Sequence, residues 1–499
     1  MIRFVIAAVL LACVSSPALP HDVPPRKQPN ILWVVAEDIS PWLSMYGDET
    51  VQTPTFQRMA DEGVTLMKAF APVPICSPTR SALMTGRWPT SDGVHNHRRS
   101  RDGKGRDAIY LPEGHLTLPE IFRQHGYQTF NIGKDDYNFV YDRSAMYSAG
   151  PAGVEGHIGE LIGPEFDWTQ LTRSDQPFFG QIQLRGGKVR GEREFSIDTS
   201  GVPMFPYYPD IPSMRQAIDD HYHSIANTDA ELREIFDRLE STGEAENTAV
   251  FFISDHGMLM LRHKQFLYDG GTHVPIFISW PAGQRFLRSR GQYRDELVSL
   301  IDLSAAALEI AGIPIPDYFE ARGLFGADYQ PRNFLPFSRD RADYTFDQIR
   351  AVRTQDFKYI RHKFPETAYL LPSYRDAWPM AQDMRRMAAE GSLDLVQAAF
   401  MADHRPPEEL YDLSADPHEI RNLAGDPAYA EKLAELSLLL DKWIRDTGDK
   451  GQVPETDTEV AAVVARWQDL CTDPICQRYV ARYGREAPSG ASGVIEDGK

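Results

Sequence analysis

The residues of this chain best able to do chemistry are a cysteine at the head of a short helix and an arginine one turn further on. Residues Cys76-Ser77-Pro78-Thr79-Arg80 run into Ser81-Ala82-Leu83-Met84-Thr85-Gly86-Arg87. Ser77 suits an N-cap, Pro78 the first helical position and Gly86 the stop. Cys76 is then left just ahead of the N-terminus, where amide donors and the helix dipole favour an anion. Arg80 keeps its charge at any working pH and presents a planar fork to an anionic group. The arrangement suits a nucleophile aimed at an anion; an inert, partly buried thiol is the plainer alternative.

A second chemistry is offered by two acidic doublets. Glu37-Asp38 follow the apolar run 30–36, and Asp255-His256 follow the run 249–254. Three carboxylates and an imidazole on one edge make a cage for a divalent cation, although acidic residues after strands also serve as helix caps. His256 is a softer donor than oxygen, so it widens the choice of metal. Basic residues gather just past the cysteine helix: Arg87, Arg98, Arg99, Arg101, Lys104 and Arg106, with His95 and His97 among them. Such a run is either a solvated loop or a wall for an anionic substrate.

These groups need elements to hold them. The runs 30–36, 249–254 and 274–280, with weaker ones at 129–133 and 178–184, read as strands buried on both faces. Helical patterns lie between them at 54–62, 118–125 and Met214–Leu239, the last with Ile218, Tyr222, Ile225, Leu232, Ile235 and Phe236 on one stripe. Alternating strands and helices imply an α/β fold, a mostly parallel sheet sandwiched by helices, with its ligand site beyond the carboxyl ends of the strands. Both doublets fall at that edge. Beyond about residue 330 the texture shifts to Pro- and Arg-rich loops, a hairpin from Ile349 to Ile360, the segment Glu409–Leu413 and a helix over 428–446. This predicts a smaller C-terminal α+β subdomain.

A chain of 499 residues accommodates one large domain plus a smaller one. The expected division is a catalytic domain over 28–330, a subdomain over 331–485 and a disordered tail over 486–499. Residues 1–20 carry Arg3, an apolar run from Phe4 to Val14 and Ser16-Pro17-Ala18, the pattern of a cleaved export signal. Leu10-Leu11-Ala12-Cys13 also resembles a lipoprotein box, which would leave a lipid anchor at Cys13. No later segment reads as a transmembrane helix. The formal charge of −19 argues against nucleic acid and against an anionic membrane surface as partners. Cys471 and Cys476, spaced C-x4-C in an exported chain, fit a local disulfide better than a metal site.

The Cys76–Arg80 pattern, followed by Thr85-Gly86, resembles the signature of type I sulfatases, C-S/A-P-x-R and then T-G. The segment Ser254-Asp255-His256-Gly257 through Lys264, Tyr268 and Gly271-Thr272-His273-Val274-Pro275 is similar to that of heparan N-sulfatases and iduronate-2-sulfatases. Ile132-Gly133-Lys134 matches a Gly-Lys step of the family, and Glu409–Leu413 with Asp416-Pro417 and Asn422-Leu423-Ala424 a late segment. The resemblance spans most of 28–447 and implies the alkaline-phosphatase-like fold. It implies that Cys76 is oxidised to formylglycine by a maturation enzyme and that the hydrated aldehyde attacks sulfur. It also implies that Glu37, Asp38, Asp255 and His256 hold calcium or another divalent cation, and that Arg80, Lys134 and Lys264 offset charge on the sulfuryl group.

Three positions depart from the family. Glu37 stands where an aspartate is usual. Asp136 replaces a histidine that acts as the base in sulfate elimination, which leaves Asp136 or His273 as the candidate. Leu184-Arg185-Gly186-Gly187-Lys188 lacks the histidine that follows the strand, with Lys188 as a substitute cation. The basic loop with His95, His97 and Arg98 is a candidate substrate wall. The expected function is an exported sulfatase, periplasmic or secreted, that cleaves a sulfate ester or sulfamate of a saccharide. A phosphonate or phosphodiester hydrolase on the same scaffold and a non-catalytic glycan-binding pseudo-enzyme are the alternatives.

Overall fold

The computed structural model describes residues 28–97, 108–148, 176–189, 191, 194–287, 291–343, 345–371, 373–456 and 458–459. The export-signal region, Cys13, Arg98, Cys471, Cys476 and the tail lie outside the described residues. Seven strands form the main sheet: β1 (Asn30–Ala36), β2 (Val64–Phe70), β3 (Gln128–Ile132), β4 (Phe178–Leu184), β5 (Thr248–Ser254), β6 (Ile276–Ser279) and β7 (Gln292–Ser299). Their order is β3-β4-β1-β5-β6-β2-β7. β1 pairs in parallel with β4 and β5, β3 with β4, and β2 with β7; β6 runs antiparallel to both neighbours.

β1 shows why the sheet is central. All seven of its residues are buried, and alternate side chains enter different cores. Leu32, Val34 and Ala36 join the core built by α1 (Pro54–Glu62) and the long helix Pro212–Ser241. Ile31, Trp33 and Val35 join the core built by α2 (Cys76–Thr85) and the helices Leu118–Gln124 and Asp302–Ala311. Helices therefore cover both faces, and the carboxyl ends of β1, β2, β3, β4 and β5 open onto one edge.

Four further strands, β8 (Leu335–Arg339), β9 (Ile349–Arg353), β10 (Phe357–His362) and β11 (Glu408–Asp412), make an antiparallel sheet of order β11-β10-β9-β8. The helix Ala430–Thr447 buries Leu436, Leu440 and Trp443 in a core shared with Val352, Tyr359 and Leu410 of this sheet. The expected hairpin is β9–β10. Strands β2, β7 and β8 were not anticipated: β7 opens with the polar run Gln-Tyr-Arg-Asp-Glu, which hides its period-2 pattern.

Candidate active site

α2 begins two residues earlier than its composition suggests. Ile75, extended at φ −145°, is the N-cap, because the Thr79 amide donates to the Ile75 carbonyl at 3.2 Å and closes the first turn around Cys76. Ser77 is thus inside the helix rather than its cap. Gly86 ends it in the left-handed region at φ 63°, its amide donating to the Ala82 carbonyl at 2.9 Å. Every residue of α2 is buried, and the spacing of four puts Cys76 and Arg80 on one face.

Cys76 lies at the meeting point of three strand ends. Its Sγ is 3.2 Å from His256 Nε2, and Lys264 Nζ donates to it at 3.4 Å. Lys264 Nζ also bonds Asp38 Oδ1 at 2.9 Å, and the Asp38 amide donates to Asp255 Oδ1 at 3.1 Å. Asp38 holds φ 58°, a conformation uncommon outside glycine, which this bond helps to maintain. Arg80 spreads its fork over Asp255 Oδ2 through Nε at 3.2 Å, Gln183 through Nη1, and Glu37 Oε1 through Nη2 at 3.4 Å.

Glu37 comes to the same site by another route. Its Oε1 is 2.7 Å from Lys134 Nζ, its Oε2 pairs with Lys188, and Lys134 also reaches Asp136 Oδ2 at 3.1 Å. Gly186 and Gly187 allow this. A Cβ on Gly186 would lie 2.2 Å from the Glu37 carbonyl oxygen and one on Gly187 2.3 Å from that of Asp38, so only glycine lets the loop after β4 rest on the turn after β1.

Burial pushes the Cys76 thiol up despite Lys134 and Lys264, so as a plain cysteine it stays protonated and is a poor nucleophile. Burial opposes ionisation of Asp255, but the cations Arg80, Lys134 and Lys264 outweigh it and hold its carboxyl below the ordinary range. Burial lowers the His256 imidazole against the pull of Asp255, keeping it neutral. Its Nδ1 carries the proton, because it donates to the Gly257 carbonyl at 3.0 Å. The Nε2 lone pair therefore faces Asp38 Oδ1 at 3.2 Å and Asp255 Oδ1 at 3.7 Å, carboxylate oxygens that also accept from Lys264 Nζ and from the Asp38 amide. Asp38, Cys76 and His256 present donor atoms all within 4.8 Å of one another, a set that suits a divalent cation. Arg80, Lys134 and Lys264 face Glu37, Asp38, Asp136 and Asp255, and burial brings the Lys188 ammonium down to about 7, so an added dication offsets the remaining negative charge.

Other expected residues are placed elsewhere. His273 donates from Nε2 to the Met67 carbonyl at 2.8 Å and stacks on Phe70 at 4.9 Å, so its ring is committed to the β2–β6 neighbourhood. His95 and His97 are buried, and His97 Nδ1 is 2.9 Å from Asp343 Oδ1. Sequence reading missed Gln183, whose signal was a polar residue alternating with apolar ones in the buried strand β4. It also missed His221, which gives no local signal at all.

Residues 29–313 match the family model described as Sulfatase. Over 485 residues the chain is 31% identical to an ulvan-active sulfatase of Formosa agariphila, covering 90% of this chain and 79% of that one. Human N-sulphoglucosamine sulphohydrolase is 25% identical over 84% of this chain and 90% of its own. Among solved structures, a 2-O GAG sulfatase superimposes with a TM-score of 0.61 at 21% identity, over 86% of this chain and 94% of that one.

Proposed function

The chain belongs to the sulfatase family and is a sulfuric ester hydrolase, and from that premise we propose that it desulfates a saccharide through a formylglycine at residue 76. The observation that carries this reading is the position of Cys76, buried at the head of α2 between Lys264 and His256 and unreactive as a thiol. Hydrated formylglycine supplies an oxygen nucleophile there that a protonated cysteine does not. Lys264 and Lys134 hold the sulfuryl oxygens, and Arg80 keeps Asp255 fixed and ionised beside residue 76. Asp38, Asp255 and His256 hold a divalent cation, calcium first among the candidates, which supplies charge stabilisation for the sulfate. Glu37 acts in this reading through the cations it collects, Lys134, Lys188 and Arg80.

A saccharide substrate is supported by the ulvan-active relative and by the glucosamine named in the human one. The apolar run and small-residue site within residues 1–20 support export to the periplasm or medium. No helix among the described residues is long and apolar enough to cross a membrane.

The test is production with a formylglycine-generating enzyme. The residue-76 peptide should weigh about 18 Da less than its thiol form. Desulfation should appear across a panel of glucosamine N-sulfate, glucosamine 6-sulfate, sulfated ulvan oligosaccharides and 4-nitrophenyl sulfate. An aryl phosphodiester control separates a phosphorus hydrolase, and converted protein that turns over no sulfate ester defeats the reading. Exhaustive chelation should abolish turnover and calcium restore it; full activity after chelation would remove the cation from the site.

A further inference from the structure

Behind the turns that carry Asp38 and His256 is a cavity of about 140 Å³. The long helix Pro212–Ser241 contributes Ala217 and His221 to its wall, the turn after β5 Met258 and Leu259, the loop after β4 Gly187, and the C-terminal half Met380. It adjoins the site directly. The Ser40 amide donates to His221 Nε2 at 3.3 Å, the Met258 amide donates to Ser40 Oγ at 3.0 Å, and Gly187 rests on Asp38.

The bond from Ser40 fixes the state of His221. A backbone amide can only donate, so Nε2 is the unprotonated nitrogen and Nδ1 carries the hydrogen. Burial keeps the ring neutral, and Trp42 packs edge-on against it at 4.9 Å. His221 is only 4% exposed and lines this cavity, so its Nδ1–H is open to what enters there. A donor on a cavity wall beside the site is placed to meet an acceptor carried by a ligand. The rest of the wall sets Ser213, Gln216 and Asp220 beside an apolar side with two methionines whose flexible thioethers adapt to a ligand's shape.

Resting on the sulfatase reading above, we propose that this cavity receives the sugar that bears the sulfate and that His221 is a specificity residue. Its Nδ1–H donates to a hydroxyl or ring oxygen of that sugar, while Met258 and Met380 cover the apolar ring face. A neutral imidazole bound in this way donates a hydrogen bond and transfers no proton, so its contribution depends on a saccharide being present. Long-helix and C-terminal residues thereby set which sugar is accepted, separately from the groups that hold sulfate.

The test compares 4-nitrophenyl sulfate, which offers no sugar hydroxyl, with whichever saccharide of the panel above wild-type enzyme turns over fastest. His221→Ala should lower kcat/KM on the saccharide by roughly tenfold or more, chiefly through KM, and leave the aryl sulfate within about twofold. His221→Asn, which retains an amide donor, should recover part of the loss. Ala217→Leu fills the cavity without touching Ser40 and should reproduce the saccharide-selective defect. Equal losses on both substrates in His221→Ala, or unchanged saccharide turnover in Ala217→Leu, would overturn the subsite while the sulfatase reading stands. A wild-type enzyme inactive on both substrates would overturn both.

Discussion

Asp136 and His273 were the two candidates for the base that releases sulfate, and their surroundings separate them. Asp136 holds φ 53° and sits 3.1 Å from Lys134 Nζ, which is itself bound to Glu37. Its carboxylate therefore lies beside an active-site cation, a position open to proton exchange. His273 spends its Nε2 proton on the Met67 carbonyl and its ring face on Phe70. Asp136→Asn should therefore lower kcat by about a hundredfold or more with little change in KM, while His273→Ala should lower thermal stability and leave kcat near wild type. Steady-state kinetics on an aryl sulfate checks both, and a reversed ranking would hand the role to His273.

At the scale of elements, the site is a set of five strand ends brought to one edge, and two close backbone contacts set its dimensions. The loop Gly186–Lys188 lies on the turn after β1, and this contact delivers Lys188 to Glu37. Gly186 also has φ 52°, so a side chain there meets both a clash and a disfavoured conformation. Gly186→Ala should cost about 1–3 kcal/mol of stability and reduce activity by more than the stability loss explains, because Glu37 and Asp38 must shift together. Denaturant melts read the first effect. Turnover at a temperature where the variant is fully folded reads the second, and wild-type values in both would mean that the loop relaxes freely.

For the whole molecule, the antiparallel sheet is joined to the catalytic sheet through buried charge. Lys358 of β10 is fully buried, its Nζ 2.5 Å from Asp269 Oδ1 and 2.9 Å from Glu419 Oε1 and the Leu267 carbonyl. Lys358→Met leaves those carboxylates without their ammonium and should destabilise the chain by about 3–5 kcal/mol, seen as a lowered Tm. Glu409 of β11 provides a pH signature. Burial alone would raise its carboxyl, but His362 at 2.6 Å and the hydroxyls of Tyr411 and Tyr369 outweigh burial and bring it down to about 2. The ordinary value is 4.5, so this stabilisation is complete above that pH and is lost as pH falls from about 4.5 towards 2. A Tm–pH profile should fall across that window, and Glu409→Gln should flatten it while lowering the plateau. The same half also clamps the active site, since Arg375 donates to the Lys264 carbonyl at 2.9 Å and to Gln265 Oε1 at 2.7 Å.

What the amino-acid sequence determined by itself was whatever a local pattern can encode. The apolar runs of β1 and β4, the periodic stripe of the long helix and the glycine stop of α2 appear in the structure within a residue or two of their expected bounds. The Cys76–Arg80 spacing and the two doublets were legible because a helical turn or a strand end fixes neighbouring side chains on one face. Tertiary structure alone decided the rest. That β6 runs antiparallel, that Glu37 gathers three cations from different elements, that His273 turns to Phe70, and that His221 lines a cavity shared with Met380 all depend on contacts between residues far apart in the chain. His221 and Ser40 are separated by 181 positions. No local propensity encodes such a meeting, because it is set by how two helix-covered faces of one sheet and a second sheet pack together.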